Sequence, residues 1–294
     1  ILFNFSTMED AFYIGTDIGG TTFSSAIFDY DLNLIKTSEK SHISNFSKSS
    51  SLLDAVANQI ESISAGKKVV HAGFACPGPL NAKEGKILET PNLTLLQNCQ
   101  FQSEMEERLS LPCRIENDAN LFALGEWSEY NKKKDVFIGI TLGTGLGFGI
   151  VLNGKMFTGG NGMAAEYGIS PYSEGTWEAG ISITAIHELT IQHLGQKISP
   201  LELNVLATEG DKNALRVWTI FGKRLGTCLS HIINMLDPNA ISIGGGIAHA
   251  FKYFEAEMTT TIEKHSPSFF QHNITIFEST AKELSAMKGA AMYF

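Results

Sequence analysis

Two short glycine-threonine turns, each set between apolar strand-like runs, constrain this chain more than any other feature. The first is Asp17-Ile18-Gly19-Gly20-Thr21-Thr22, entered from Tyr13-Ile14-Gly15 and left through residues 23–29. The second is Thr141-Leu142-Gly143-Thr144-Gly145-Leu146-Gly147, entered from residues 136–142 and left through residues 147–152. Two strands joined by a Gly-rich turn form a β-hairpin. The same hairpin opens each half of the chain, which is the pattern of a distant internal duplication.

Around these hairpins, strand and helix patterns alternate. Residues 34–40 read as extended and residues 44–51 as a Ser-rich loop. Leu52, Leu53, Val56, Ile60 and Ile63 then recur with helical spacing, and Gly66 stops that helix. A buried strand over residues 69–75 runs into Cys76-Pro77-Gly78-Pro79, a loop because its prolines lack donors and fix φ. Glu89-Thr90-Pro91-Asn92-Leu93 is a second loop. Residues 102–109 form a short helix, residues 113–116 a strand and residues 119–130 a helix, which puts Asp118 at a strand-to-helix passage. Asn153-Gly154 is a hairpin turn signal. Residues 158–173 are Gly-rich and irregular, and residues 182–194 are helical. A long helix over 211–236 aligns Val217, Phe221, Leu225, Leu229, Ile232 and Leu236 on one face, and Asp237-Pro238 ends it. Residues 240–243 are a short buried strand running into Gly244-Gly245-Gly246; a helix over 247–265, a strand over 273–278 and a helix over 283–294 follow. Alternation of this kind places the fold in the α/β class.

Composition excludes several function classes. The 294 residues are 43% hydrophobic, enough for substantial cores, yet no apolar run approaches the roughly 20 residues of a membrane-spanning helix. The apolar start at 1–5 lacks a basic flank and a long apolar stretch, so it does not read as a signal peptide. Net charge is -9, which disfavours nucleic-acid binding; the basic run Lys132-Lys133-Lys134 reads as a solvated turn. The four cysteines, Cys76, Cys99, Cys113 and Cys228, form no Cys-x-x-Cys pair. A reducing, cytoplasmic setting is expected.

The turns have a chemical use. Glycines let backbone N–H groups approach phosphate oxygens, and threonine hydroxyls donate beside them. Gly19, Gly20, Thr21 and Thr22 in the first turn, and Thr144 and Gly145 in the second, are the candidate phosphate contacts. Asp17 is a candidate Mg²⁺ holder through water, since Mg²⁺ keeps much of its hydration. Gly245 and Gly246 would let an adenine or ribose lie on the backbone, or place phosphate near a helix start; G-x-G-x-x-G is not met, so this is no dinucleotide fingerprint. Asp118, ionised at neutral pH in the unperturbed state, can take the proton of an attacking hydroxyl, and phosphoryl transfer demands mainly positioning and charge stabilisation. Glu166 and Glu178 can each grip sugar hydroxyls through two acceptor oxygens. Each feature has a plainer reading: a tight hairpin for either turn, a strand–helix connection for the glycine triplet, loop charges for the glutamates, and a helix cap for Asp118, a task Asn117 could also perform. A carboxylate set between two phosphate turns points instead to a small-molecule kinase.

Taken together, these residues resemble the ROK family of sugar kinases and repressors, within the actin/hexokinase-like ATPases, over nearly the whole chain. The segment 17–21 resembles its first phosphate motif, Cys76-Pro77-Gly78-Pro79-Leu80-Asn81 its sugar-side loop and Pro91-Asn92-Leu93 a following signature. Glu116-Asn117-Asp118-Ala119-Asn120 resembles its catalytic segment, residues 142–154 the family signature, and residues 236–246 the adenosine-side segment. The resemblance implies that Asp118 is the general base, that Gly78, Asn117, Asp118 itself, Glu166 and Glu178 contact sugar, and that ATP with Mg²⁺ is the donor. It also implies two actin-like (ribonuclease H-like) domains flanking a cleft, residues 1–118 and 119–282, with the helix 283–294 returning to the first, and a homodimer.

Two departures stand out. Where the family has Glu-x-Gly-His, this chain reads Glu166-Tyr167-Gly168-Ile169, and Ile169 replaces a histidine that in relatives binds sugar and zinc. Where the family has a cysteine cluster ending in Gly-Cys-x-Glu, it reads Gly175-Thr176-Trp177-Glu178. Structural zinc needs about four nitrogen or sulfur ligands, so no zinc is expected, and Trp177 is expected to pack where the metal would order the loop. The leading function is an ATP-dependent hexose kinase, with glucose first and fructose or N-acetylmannosamine behind it. A sugar-sensing repressor is not expected, because only 16 residues precede Asp17 and the chain is acidic. A catalytically weakened sugar-binding sensor is the third reading.

Overall fold

The computed structural model describes residues 10–130, 135–272, 274–281 and 284–294. The apolar start at 1–5, the basic run at 132–134 and Asn273 lie outside the described residues. Two compact units emerge, Ile1–Tyr130 with Glu283–Phe294, and Asn131–Lys282.

The first unit begins with the hairpin β1 (Ala11–Ile18) and β2 (Thr22–Phe28), followed by β3 (Leu34–Thr37) and β4 (Ser41–His42). Then come α1 (Ser49–Ser64), β5 (Lys68–Cys76), the small ladder of β6 (Leu80–Asn81) and β7 (Lys86–Ile87), α2 (Phe101–Leu109), β8 (Cys113–Asn117) and α3 (Asp118–Tyr130). The main sheet runs β3-β2-β1-β5-β8. β3, β2 and β1 pair with one another antiparallel, and β5 and β8 run parallel to β1. The helical spacing read for α1 is the buried face: Leu52, Leu53, Val56, Ile60 and Ile63 enter a core with Ile14, Ile18, Phe23, Ile27, Phe74 and Phe101.

On the other side of this unit the last helix, Leu284–Met292, lies against β1, β5 and α3. The approach is backbone to backbone. A Cβ at Gly15 would lie 1.7 Å from Met287 O, and one at Gly73 1.9 Å from Ala290 O. Gly125 of α3 and Gly289 of the last helix meet in the same way, with would-be Cβ atoms 1.9 Å from Ser285 O and 1.8 Å from Leu121 O. This contact holds α3 within the first unit, so the units divide after Tyr130 rather than after residue 118 as expected.

The second unit repeats the plan. Its strands are β9 (Val136–Leu142), β10 (Leu146–Leu152), β11 (Lys155–Met156), the short pair β12 (Pro171–Tyr172) and β13 (Gly175–Thr176), β14 (Ala240–Gly244) and β15 (Thr275–Glu278). Its helices are α4 (Trp177–Gly180), α5 (Ile183–Leu194), α6 (Pro200–Thr208), α7 (Lys212–Leu236), α8 (Phe251–His265) and α9 (Pro267–His272). The sheet order β11-β10-β9-β14-β15 has the same succession of antiparallel and parallel pairings as the first sheet. Asp211 caps α7 by accepting from Asn213 N at 2.9 Å and Ala214 N at 2.8 Å. The apolar stripe of α7 is buried from Val217 to Ile232, and Leu236 is partly so.

Local differences from the sequence reading have identifiable causes. The helix expected over 247–265 is a 3-10 turn, Gly246–Ala250, leading into α8. The segment read as irregular contains a 3-10 turn, Glu166–Ile169, and β12. Helix α6 was not anticipated, although Ser199-Pro200-Leu201-Glu202 forms a capping box with proline at the first helical position. Among the described residues no helix is long and apolar enough to cross a membrane.

Candidate active site

In the first unit β1, β5 and β8 are adjacent and parallel, so their carboxyl ends share one edge, where open α/β sheets bind ligands. Asp17 pairs with Ala75, Ala75 with Glu116, and Cys76 with Asn117. Asp17 and Asp118 therefore flank Cys76. The Cys76 thiol reports both: burial, then the Asp17 and Asp118 carboxylates, push its pKa well up. The first Gly turn is held by Gly19 N donating to Thr22 O at 2.9 Å and Ile43 N donating to Thr21 O at 2.8 Å. The loop Pro91-Asn92-Leu93 backs it, because a Cβ at Gly20 would lie 2.6 Å from Asn92 O. Gly78 follows the end of β5 and is partly exposed.

Asp118 is the first residue of α3, and Asn117 does the capping. Asn117 Oδ1 accepts from Ala119 N at 3.0 Å and Asn120 N at 3.2 Å, which leaves its Nδ2 as the group able to donate. Asp118 Oδ1 also accepts from Ala119 N, at 2.8 Å. Behind them the Glu116 carboxylate is buried, and the sequence reading gave it no role. Strand alternation puts Glu116 on the face opposite Ile115, yet both are buried, and no local pattern in the sequence marks this.

In the second unit the two remaining glycine runs lie side by side. β14 pairs with β9, bringing Gly244 opposite Thr141. Gly245, at φ 86°, fits so closely that a Cβ would lie 2.3 Å from Leu142 O. By contrast a Cβ at Gly143 or Gly246 would meet nothing within 4 Å, so open backbone is available there for a ligand. Thr144 is exposed at the tip of the turn. Glu178 reaches into the same place: its Oε2 accepts from Leu146 N at 3.0 Å and would lie 2.6 Å from a Cβ on Gly145. Glu166 is close enough to sense it. Partial desolvation, then the Glu178 carboxylate, raise the Glu166 pKa. The structure thus brings Thr144, Gly145, Glu166 and Glu178 together.

The profile of the ROK family matches residues 13–294. The chain belongs to the ROK family. Its ROK relatives include the glucokinase of Thermotoga maritima, 27% identical in a match that covers 95% of this chain and 95% of that protein. The N-acetyl-D-glucosamine kinase of Mannheimia succiniciproducens is 30% identical in a match covering 85% of this chain and 89% of that one. Among solved structures, a ROK family glucokinase from Streptomyces griseus, in complex with glucose and AMPPNP, superposes with a TM-score of 0.80. It is 24% identical, and the match covers 96% of this chain and 98% of that one, which carries the fold. Both units of this ROK protein accordingly have the actin-like, ribonuclease H-like α/β fold.

The departures from the family pattern also have a structural form in this ROK protein. Ile169 is 64% exposed. Trp177 is buried, stacks on Tyr172 with ring centres 3.9 Å apart and lies 6.3 Å from the Tyr167 ring. The Tyr167 hydroxyl and His231 Nδ1 are 2.7 Å apart. This aromatic cluster packs within the segment that carries Glu166 and Glu178. Among the described residues, no group of three or more His, Cys, Asp or Glu side chains could hold a metal ion.

Proposed function

We propose that this ROK protein is an ATP-dependent sugar kinase that moves the γ-phosphoryl group to a hydroxyl of a hexose, with glucose as the first candidate. Asp118 is the general base, and Gly78, Asn117, Glu166 and Glu178 contact the sugar. The observation that carries this reading is the placement of Asp17 and Asp118 on either side of Cys76, at the carboxyl ends of parallel strands and beside the first Gly turn. A binding protein has no need of a base at that position.

The residues fit a nucleotide. Open backbone at Gly143 and Gly246, with exposed Thr144 beside it, offers N–H and hydroxyl donors where phosphate can approach. Gly19 to Thr22 offer the same in the first unit, and Asp17 would hold Mg²⁺ through water. When bound, ATP supplies the phosphoryl group and Mg²⁺ neutralises its charge. The protein's part is to orient and deprotonate. Asn117 Nδ2 donates to a sugar hydroxyl, Glu166 and Glu178 accept from others, and Asp118 takes the proton of the attacking one.

One observation favours an N-acetylhexosamine as an alternative substrate. An apolar cavity of about 410 Å³ is lined by Glu166 together with Phe148, Phe157, Met163 and Met235. An apolar substituent beside hydroxyls held by Glu166 would find cover there. The test is ADP release with Mg-ATP against a panel of hexoses and N-acetylhexosamines. Sugar-dependent turnover is expected, and the preferred sugar names the substrate. Tight sugar binding without turnover on any sugar would replace the kinase reading with a sensor.

No zinc is proposed, because the Trp177 cluster does the ordering. Trp177→Ala is expected to cost about 3–5 kcal/mol in chemical denaturation, while a chelator leaves the wild-type midpoint unchanged. Stoichiometric, tightly held zinc, or a Trp177→Ala loss below about 1 kcal/mol, would overturn this.

A further inference from the structure

Next to the proposed base lies a buried carboxylate that the mechanism above does not use. Glu116 is 3% exposed at the end of β8. Its Oε1 accepts the N–H of Asn117 at 2.8 Å and Nδ2 of Asn120 at 3.2 Å, and its Oε2 accepts the Tyr293 hydroxyl at 3.3 Å. Burying a carboxylate is unfavourable unless donors surround it. All three donors here are protein groups, and two of them belong to residues on either side of Asp118 in the sequence.

Tyr293 is itself held. The Arg114 guanidinium lies 5.8 Å from the Tyr293 ring and 5.3 Å from the Phe294 ring. Phe294 stacks on His71 at 3.7 Å, and His71 stacks on Tyr13 at 4.6 Å. His71 Nε2 is also 2.8 Å from Ala291 O. A run of stacked rings thus reaches from β1 past β5 to Phe294, and the Arg114 guanidinium of β8 lies over both Phe294 and the Tyr293 ring that meets Glu116.

We propose that Glu116 is a positioning residue for Asp118, and that Tyr293 fixes Glu116. The inference rests on the kinase reading for its effect on rate, though not for its effect on local order. Binding of the Asn117 N–H fixes the Glu116–Asn117 peptide, one residue before Asp118. Binding of Asn120 Nδ2 ties down the first turn of α3, whose amides Asn117 Oδ1 caps. Asp118 lies between two restraints that both end on one carboxylate. A misplacement of about 1 Å in such a group can lower a rate about a hundredfold.

The variants Glu116→Ala, Glu116→Gln and Tyr293→Phe separate this role from a purely structural one. Glutamine can accept from the Asn117 N–H and donate to the Tyr293 oxygen, so it should restore most of the rate. Glu116→Ala is expected to lower kcat about tenfold to a hundredfold, and Tyr293→Phe about threefold to tenfold, with KM for ATP held within about twofold. In an Asp118→Asn background Glu116→Ala should add less than about a twofold loss, because residues acting as a unit are not additive. Wild-type kcat in Tyr293→Phe, or full multiplicative loss in the double variant, would overturn the proposal. So would rates that fall only in step with the unfolded fraction measured by circular dichroism. Amide hydrogen exchange supplies the independent reading. Tyr293→Phe should speed exchange over residues 117–120 and leave β1 and β5 unchanged. If no sugar supports turnover in the wild type, the kinase reading fails, and exchange alone decides whether Glu116 orders the segment: unchanged exchange at 117–120 sinks it.

Discussion

Asp118→Asn is expected to lower sugar-dependent ADP release about 10²–10⁴-fold, the usual contribution of a positioned general base. Asparagine keeps the side-chain oxygen that accepts from Ala119 N at 2.8 Å, and Asn117 remains the cap, so the start of α3 should survive the change. What is lost is the second acceptor oxygen and its charge. Sugar affinity measured by calorimetry should therefore stay within a few-fold while kcat collapses. Full turnover in the variant would remove Asp118 from the base role, and loss of sugar binding with unchanged kcat would make it a binding residue only.

Gly15→Ala should do the reverse, destabilising the first unit. Its new methyl would lie 1.7 Å from Met287 O, and a backbone oxygen cannot rotate aside as a side chain can. Overpacking usually costs about 1–3 kcal/mol and occasionally more. With helix backbone as the obstacle, a loss of about 3 kcal/mol or more is expected, read as a lower midpoint in chemical denaturation. Gly143→Ala is the contrast. A Cβ there meets nothing within 4 Å, so stability should change by at most about 0.5 kcal/mol, while nucleotide affinity falls because the open backbone is occupied. Equal stability of the Gly15→Ala and wild-type proteins would mean that the last helix gives way easily.

Much of this was legible in the sequence wherever the information is local. The two hairpins, the buried face of α1 and the stripe of α7 follow from periodicity and turn residues alone. Asp118 falls at a strand-to-helix passage because a strand over 113–116 precedes it and a helical run over 119–130 follows. Harder to read were contacts between residues far apart in the chain. Nothing near Gly15 or Gly73 announces a helix some 200 or more residues later, since a glycine demanded by a neighbour looks like any other. The division of the units failed for a related reason. α3 is buried over most of its surface, which marks a helix covered on several sides but does not say by what. Glu116 and Tyr293 likewise meet across 177 residues. Glu178 was read as a sugar ligand from its resemblance, but its bond to Leu146 N, which joins it to the second Gly turn, depends on a loop geometry that no local pattern encodes.

The discontinuity of the first unit also bears on how the protein is made. During synthesis, β1 to α3 leave the ribosome first, but the helix that closes over Gly15 and Gly73 is encoded after residue 282. The second unit is one uninterrupted stretch and needs no segment from beyond its own end. Until translation reaches that helix, the glycine-floored face of β1 and β5 is uncovered in the nascent chain. The first unit therefore closes only when residues 284–292 are free to fold, although its strands emerge before those of the second unit.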